Sequence, residues 1–191
     1  MQDTELRRLR SGEQGALRAV VLNHHAPMRR FARAIVGDAS AEEIVQEAWL
    51  KVIPGLRNFE ARASLRSWLL RIVRNEAISR LRKEAREPEM ESSDELDERY
   101  GPDGSWRSPP ANWSADTPEA LLAAKDMRAV IDRALAAMPV QQRAVLTLKD
   151  VEGLSFNEIC NILDISASNV RVLLHRGRRR LWSAIDAYQK G

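Results

Sequence analysis

Between Glu84 and Pro118 the sequence interrupts every pattern that would support a packed core. Pro88, Pro102, Pro109, Pro110 and Pro118, with Gly101, Gly104 and several serines, break the stretch, and no apolar period is sustained along it. Proline withholds a backbone donor and fixes φ, so neither a long helix nor a central strand fits here. The stretch holds 10 acidic against 3 basic residues, a net −7, while residues 1–83 carry +7 and residues 119–191 carry +3. It reads as a flexible acidic linker. The 191 residues are therefore expected to fold as two small modules: 1–86, then a linker at 87–117, then 118–191. Trp106 and Trp113 are unusual in a spacer. They leave two readings open, a loosely held linker or a pair of docking anchors on a partner or on the flanking modules.

Several function classes drop out early. Apolar runs stay far below the roughly 18–20 residues of a membrane span, and the N-terminus lacks a basic start followed by an apolar run. A cytoplasmic protein without membrane insertion is expected. Cys160 stands alone, so neither an internal disulfide nor a Cys-rich zinc site can form. His24, His25 and His175 lack the i, i+4 spacing of a helical zinc site, and no Gly-rich phosphate loop or Ser/His/Asp arrangement is visible. No catalytic residue, metal or cofactor is expected, and the chain is not read as an enzyme. His24-His25 reads as a surface turn between helices.

The first module reads as helical throughout. Leu17, Val20 and Val21 form one apolar stripe, and Met28, Phe31 and Ile35 continue it after Pro27, which suits the first turn of a new helix. Ser40 and Glu43 have the spacing of a capping box before Ile44, Val45, Ala48, Trp49, Val52 and Ile53. The outer side of that helix carries Glu42, Glu43, Gln46 and Glu47, a solvated face or a docking surface for a basic helix. Ser64 is placed to cap a further helix with Leu65, Trp68, Leu69, Ile72, Val73, Ala77 and Leu81 on its buried side and Arg71, Arg74, Asn75 and Arg82 on the other. This basic stripe beside a loop with Phe59 suits DNA, and it equally suits a solvated surface.

The second module begins at Thr117-Pro118-Glu119, a capping hydroxyl, a first-turn proline and an acid. Helices to Met138 and over about 141–151 follow. Ser155-Phe156-Asn157-Glu158 is a second capping box for a short helix, Asp164-Ile165 makes a turn, and Ser166 caps a helix with Val170, Leu174, Gly177 and Leu181 at i, i+4, i+7 and i+11. This is a helix-turn-helix pattern. Ser168, Asn169, Arg171, Leu173, Arg176 and Arg180 lie off the apolar stripe. With Arg178 and Arg179 they supply guanidinium groups suited to guanine and phosphate.

Both modules then resemble one family. Gly37-Asp38, Ala41-Glu42-Glu43-Ile44-Val45-Gln46-Glu47-Ala48-Trp49, Trp68-Leu69-Leu70-Arg71-Ile72-Val73-Arg74-Asn75 and Leu81-Arg82 resemble region 2 of bacterial extracytoplasmic-function (ECF) sigma factors. Met138-Pro139, Gln142-Arg143, Leu154-Ser155, Glu158-Ile159, Leu163, Ile165-Ser166, Val170 and Arg176 resemble region 4. The resemblance implies an all-α chain of two helical domains without the middle domain of housekeeping sigma factors. It implies core-polymerase contacts, on the clamp helices, at Asp38, Glu42, Gln46 and Glu47. It places Asn58, Phe59 and Arg62 in a loop that captures an unstacked promoter base, with Phe59 alternatively a core anchor. Arg71, Arg74 and Asn75 fall on the minus-ten helix, and Ser168, Asn169, Arg171, Arg176 and Arg180 on the minus-35 helix. Asn169 and Leu173 depart from the threonine and arginine that many members carry; the leucine cannot hold phosphate, a thymine methyl is one contact open to it, and the bases read stay open.

Promoter-directed initiation with core RNA polymerase, held in check by an anti-sigma factor that is often a membrane protein, is what the resemblance implies. Region 4 would also bind the polymerase flap. The rival is a conventional helix-turn-helix regulator that never becomes a polymerase subunit.

Overall fold

The computed structural model describes Glu13 and residues 15–56, 59–60, 63–84 and 118–190, with side chains in the last segment from Asp126 onward. All regular structure among the described residues is helical. The expected linker at 87–117, with Trp106 and Trp113, lies outside them, as do Thr117, Asn58 and Arg62.

Helix α1 spans Ala16–Val36 as one element with Pro27 inside it. The expected break before Pro27 does not occur, and His24 and His25 are helical instead of forming a turn. A proline inside a helix costs about 3 kcal/mol. Val20, Met28, Phe31 and Ile35 offset this along one buried stripe, each large side chain contributing about 1.5–3 kcal/mol. Leu17, at the ragged start of that stripe, is exposed.

Helix α2 spans Asp38–Gly55 and starts directly after Gly37. Ser40 therefore lies within the first turn and caps nothing, against the expected capping box. Gly37, at φ 84°, turns the chain from α1 into α2 without an extended residue at position 40. Glu43 is thereby freed for α3, and its carboxylate sits 2.9 Å from Arg80. That hydrogen bond and the Arg80 charge hold the Glu43 carboxyl below its ordinary range.

Helix α3 spans Leu65–Lys83. Its Ser64 cap forms as expected, the hydroxyl accepting from the Ser67 backbone N–H at 3.1 Å. Leu65, Leu69, Leu70, Val73 and Ala77 close the first bundle against α1 and α2.

The second module consists of α4 (Pro118–Ala136), α5 (Val140–Leu146), a wide π-type turn over Thr147–Val151, α6 (Phe156–Leu163) and α7 (Ala167–Lys190). The Ser155–Glu158 capping box is complete, with Ser155 accepting from the Glu158 N–H and Glu158 accepting from the Ser155 N–H. Asp164 makes the α6–α7 turn at φ 59°, and the Ser166 hydroxyl accepts from the Asn169 N–H at 3.2 Å.

The two modules pack together. Side chains from α1 to α3 and from α5 to α7 share one continuous buried cluster, with α1 against α5 and the wide turn, and α3 against α6.

Candidate nucleic-acid and polymerase interfaces

On α2, Asp38, Glu42 and Gln46 are exposed and Glu47 is half-buried. Leu50 and Ile53 follow on the same helix with 74% and 47% of their surface in solvent, so the acidic face continues into an apolar one. Such a mixed surface suits a helical partner with basic and apolar groups. Two of its carboxylates are already paired: Asp38 lies 3.0 Å from Arg33, and Glu42 lies 3.2 Å from Arg29 and 3.5 Å from His25.

Phe59 is buried, its ring 5.0 Å from that of Trp68 with a tilt of 46°. Here it anchors the loop to α3. Arg71 and Asn75 are exposed on α3, and Arg74, Asn75, Ile78, Ser79, Arg82 and Lys83 line an open basic groove. Arg74 is half-buried, because its guanidinium donates to the Leu163 carbonyl oxygen at the end of α6 (3.1 Å) as well as to Asn75 Oδ1 (3.1 Å). The predicted minus-ten helix thus faces the helix-turn-helix of its own chain.

On α7, Ser168, Arg171 and Arg180 are exposed, while Asn169 and Arg176 are half-buried. The Ser168 hydroxyl sits 2.9 Å from that of Ser166. Arg171 lies over the Phe156 ring, 5.5 Å from its centre, and Lys149 occupies the same ring at 5.0 Å. Contact with the ring orients Arg171 without consuming its hydrogen-bond donors.

Two expectations for α7 fail. Leu173 is 1% exposed and cannot reach a thymine methyl; it belongs to the core beside Leu174. Arg178 is also buried, its Nε donating to Asp150 Oδ2 at 2.9 Å and its Nη2 to Oδ1 at 2.5 Å. The cause is one packing demand: α7 packs against α4, α5 and α6, and Arg178 reaches Asp150 in the wide turn, so its buried arc is wider than the single stripe counted in the sequence.

The wide turn also places Glu152, whose side chain is 1% exposed. Arg30 Nε of α1 donates to Glu152 Oε1 at 2.7 Å, and Arg66 Nη2 of α3 donates to Oε2. Nearby, Glu158 accepts from the Ser67 hydroxyl at 3.0 Å and the Ser64 hydroxyl at 3.3 Å. Burial raises the Glu158 pKa, but the Ser155 backbone and hydroxyl bonds, with those from Ser67 and Ser64, outweigh it and leave the carboxyl below its ordinary range. Arg143 of α5 donates to the Ala34 carbonyl oxygen at 2.5 Å and to Leu135 at 3.0 Å. Burial, then the neighbouring Arg33, lowers its pKa. Sequence reading missed Arg30, Arg66 and Glu152. No local pattern marks them, since Arg30 and Glu152 are 122 residues apart.

No cluster of metal-ligating side chains occurs among the described residues.

Comparison with known proteins assigns residues 20–87 to Sigma-70 region 2 and residues 128–181 to Sigma-70, region 4. The "ECF RNA polymerase sigma-E factor" of Escherichia coli K12 is 26% identical over 175 residues, covering 91% of this chain and 88% of that protein. A "Probable RNA polymerase sigma factor" of Haemophilus influenzae is 26% identical over 163 residues, covering 83% of this chain and 84% of that protein. Among solved structures, the fold is similar to the sigma factor RpoE in complex with the anti-sigma factor NepR from Bartonella quintana, at a TM-score of 0.61 and 22% identity over 90% of this chain and 98% of that chain. It is equally similar to CnrH in complex with the cytosolic domain of CnrY, at a TM-score of 0.61 and 19% identity over 97% of each chain.

Proposed function

The chain belongs to the extracytoplasmic-function sigma factors and is an alternative sigma factor directing promoter-specific transcription initiation by core RNA polymerase; from that premise we propose which residues carry each task. The observation supporting the assignment is the pairing, in one chain, of an acidic and apolar α2 face with two basic helices, α3 and α7, on separate modules. A conventional helix-turn-helix regulator leaves the α2 face and the α3 stripe without a role.

Residues 1–86 form the region 2 domain and residues 118–191 the region 4 domain, joined by the acidic linker at 87–117. Asp38, Glu42, Gln46 and Glu47 hold the polymerase clamp helices, with Leu50 and Ile53 extending the contact. Asn58, Phe59 and Arg62 form the base-capturing loop, in which Phe59 supplies the apolar wall that an extruded base needs. Arg71, Arg74 and Asn75 track the minus-ten strand. Ser168, Asn169, Arg171, Arg176 and Arg180 enter the minus-35 major groove, the first three near the start of the helix, where base edges are read. Region 4 also engages the polymerase flap. The protein works in the cytoplasm and carries out no catalysis of its own; none of its described helices is long and apolar enough to cross a membrane. An anti-sigma factor controls it, a reading supported by the similar structure of the sigma factor RpoE in complex with the anti-sigma factor NepR.

Run-off transcription with purified core polymerase tests the assignment. Promoter-specific transcripts are expected only when the chain is added, and their absence across a genomic promoter library sinks it.

A further inference from the structure

Two guanidinium groups from different helices of the first module, Arg30 on α1 and Arg66 on α3, converge on the buried Glu152 carboxylate of the second. Burying a carboxylate is costly unless charge and hydrogen bonds compensate it, and here both oxygens are engaged by cations. Seen from the first module, Arg30 and Arg66 form a seat for one anion. Arg66 lies two turns before Arg74, so both side chains leave the same broad side of α3. That side is the one α6 covers, through Glu158 on Ser64 and Ser67 and through the Leu163 carbonyl on Arg74. Every one of these contacts supplies an anionic or carbonyl oxygen to a donor of the first module. A single-stranded nucleic acid offers the same chemistry: phosphate oxygens at regular spacing for arginines and hydroxyls.

We propose that Glu152 is a built-in phosphate mimic. Its carboxylate fills the Arg30–Arg66 seat in the closed chain, and a phosphodiester of the promoter's unpaired strand takes that seat when the modules separate. Arg30 and Arg66 are then strand-binding residues in their own right, and the second module competes with DNA for the first. Core polymerase, which must place the two modules on two promoter elements, removes the competitor by the same movement. The proposal rests on the assignment of α3 to the minus-ten strand.

The test uses the full chain, with dyes at Ala39→Cys and Gln189→Cys in a Cys160→Ser background, and a short mixed-sequence single-stranded oligodeoxynucleotide. Energy transfer between the dyes is expected to fall as the unlabelled oligonucleotide saturates the otherwise wild-type chain. Glu152→Gln, which keeps the shape and removes the charge, is expected to tighten oligonucleotide binding about tenfold, the worth of one charge-assisted contact. Adding Arg30→Gln and Arg66→Gln to Glu152→Gln is expected to abolish that gain. Energy transfer that stays constant at saturation overturns the competition, whether or not the variant folds. A gain that survives loss of both arginines overturns the seat. If the chain directs run-off initiation yet fails these tests, the sigma assignment stands and the mimic alone is wrong.

Discussion

At Glu158 two demands meet in one carboxylate. It completes the α6 capping box with Ser155 and receives the Ser64 and Ser67 hydroxyls from the other module, which together hold its pKa below the ordinary range. A group whose pKa is depressed on folding adds stability above its unfolded pKa, about 4.3 for glutamate, and loses that contribution as pH falls through the lower folded value. Glu158→Gln, which keeps the box and removes its charge, is therefore expected to cost about 0.5 kcal/mol in urea unfolding at neutral pH, the worth of a solvent-screened charge. The gap should narrow below the ordinary carboxylate range, and a constant gap down to the acid limit contradicts the linkage. Phe59 makes a second residue-scale case. Its contact with Trp68 predicts that Phe59→Ala destabilises the chain by about 3 kcal/mol, measured by thermal unfolding without DNA; a loss confined to promoter opening would assign it to base capture alone. The Ser155 box was legible in the sequence because a cap is a local affair of four residues. Ser40 carried the same signature and failed, because a glycine three residues earlier had already started the helix.

Among the elements, the wide turn over Thr147–Val151 does the most with the fewest residues. It turns Asp150 toward α7 and, through Glu152, reaches α1 and α3, while Gly153, at φ 68°, lets the chain leave for α6. Arg178 is buried while Asp150 is only partly so, and Asp150→Ala, which removes both carboxylate acceptors from the guanidinium, is expected to cost about 2 kcal/mol in thermal unfolding. Loss of stability below about 1 kcal/mol in that variant would mean that the Asp150 contact is worth no more than a surface ion pair. On α7, Arg171→Ala is expected to relax preference at the minus-35 element by a factor of about ten while leaving binding to core polymerase unchanged; equal loss of both affinities contradicts its role. The helix-turn-helix was readable from caps and periodicity. The burial of Leu173 and Arg178 was not, because a one-dimensional stripe count does not register that several elements pack against one helix. Pro27 misled for a similar reason: the local rule for proline holds, but a buried face running the length of α1 overrides it.

Over the whole molecule, the sequence divides into two modules and the structure joins them through one buried cluster. The division was legible because composition changes abruptly at residues 84 and 118. The joining was not, because Arg143 on Ala34, Arg33 on Asp132 and Arg30 on Glu152 link residues about a hundred positions apart. A shared cluster predicts one cooperative heat-absorption peak for the free chain, with calorimetric and van't Hoff enthalpies in agreement; two resolved peaks would show that the modules unfold independently. The carboxylate between Arg30 and Arg66 also bears on inheritance. Sigma domains look like interchangeable parts, each with its own promoter element, yet here a residue of one domain is fitted to two residues of the other. Exchanging region 4 for that of a relative without an acid at this place would leave both arginines uncovered, so the hybrid would bind single strands before it ever met a polymerase. New promoter preferences are then reached more readily by changes within each helix than by trading whole domains.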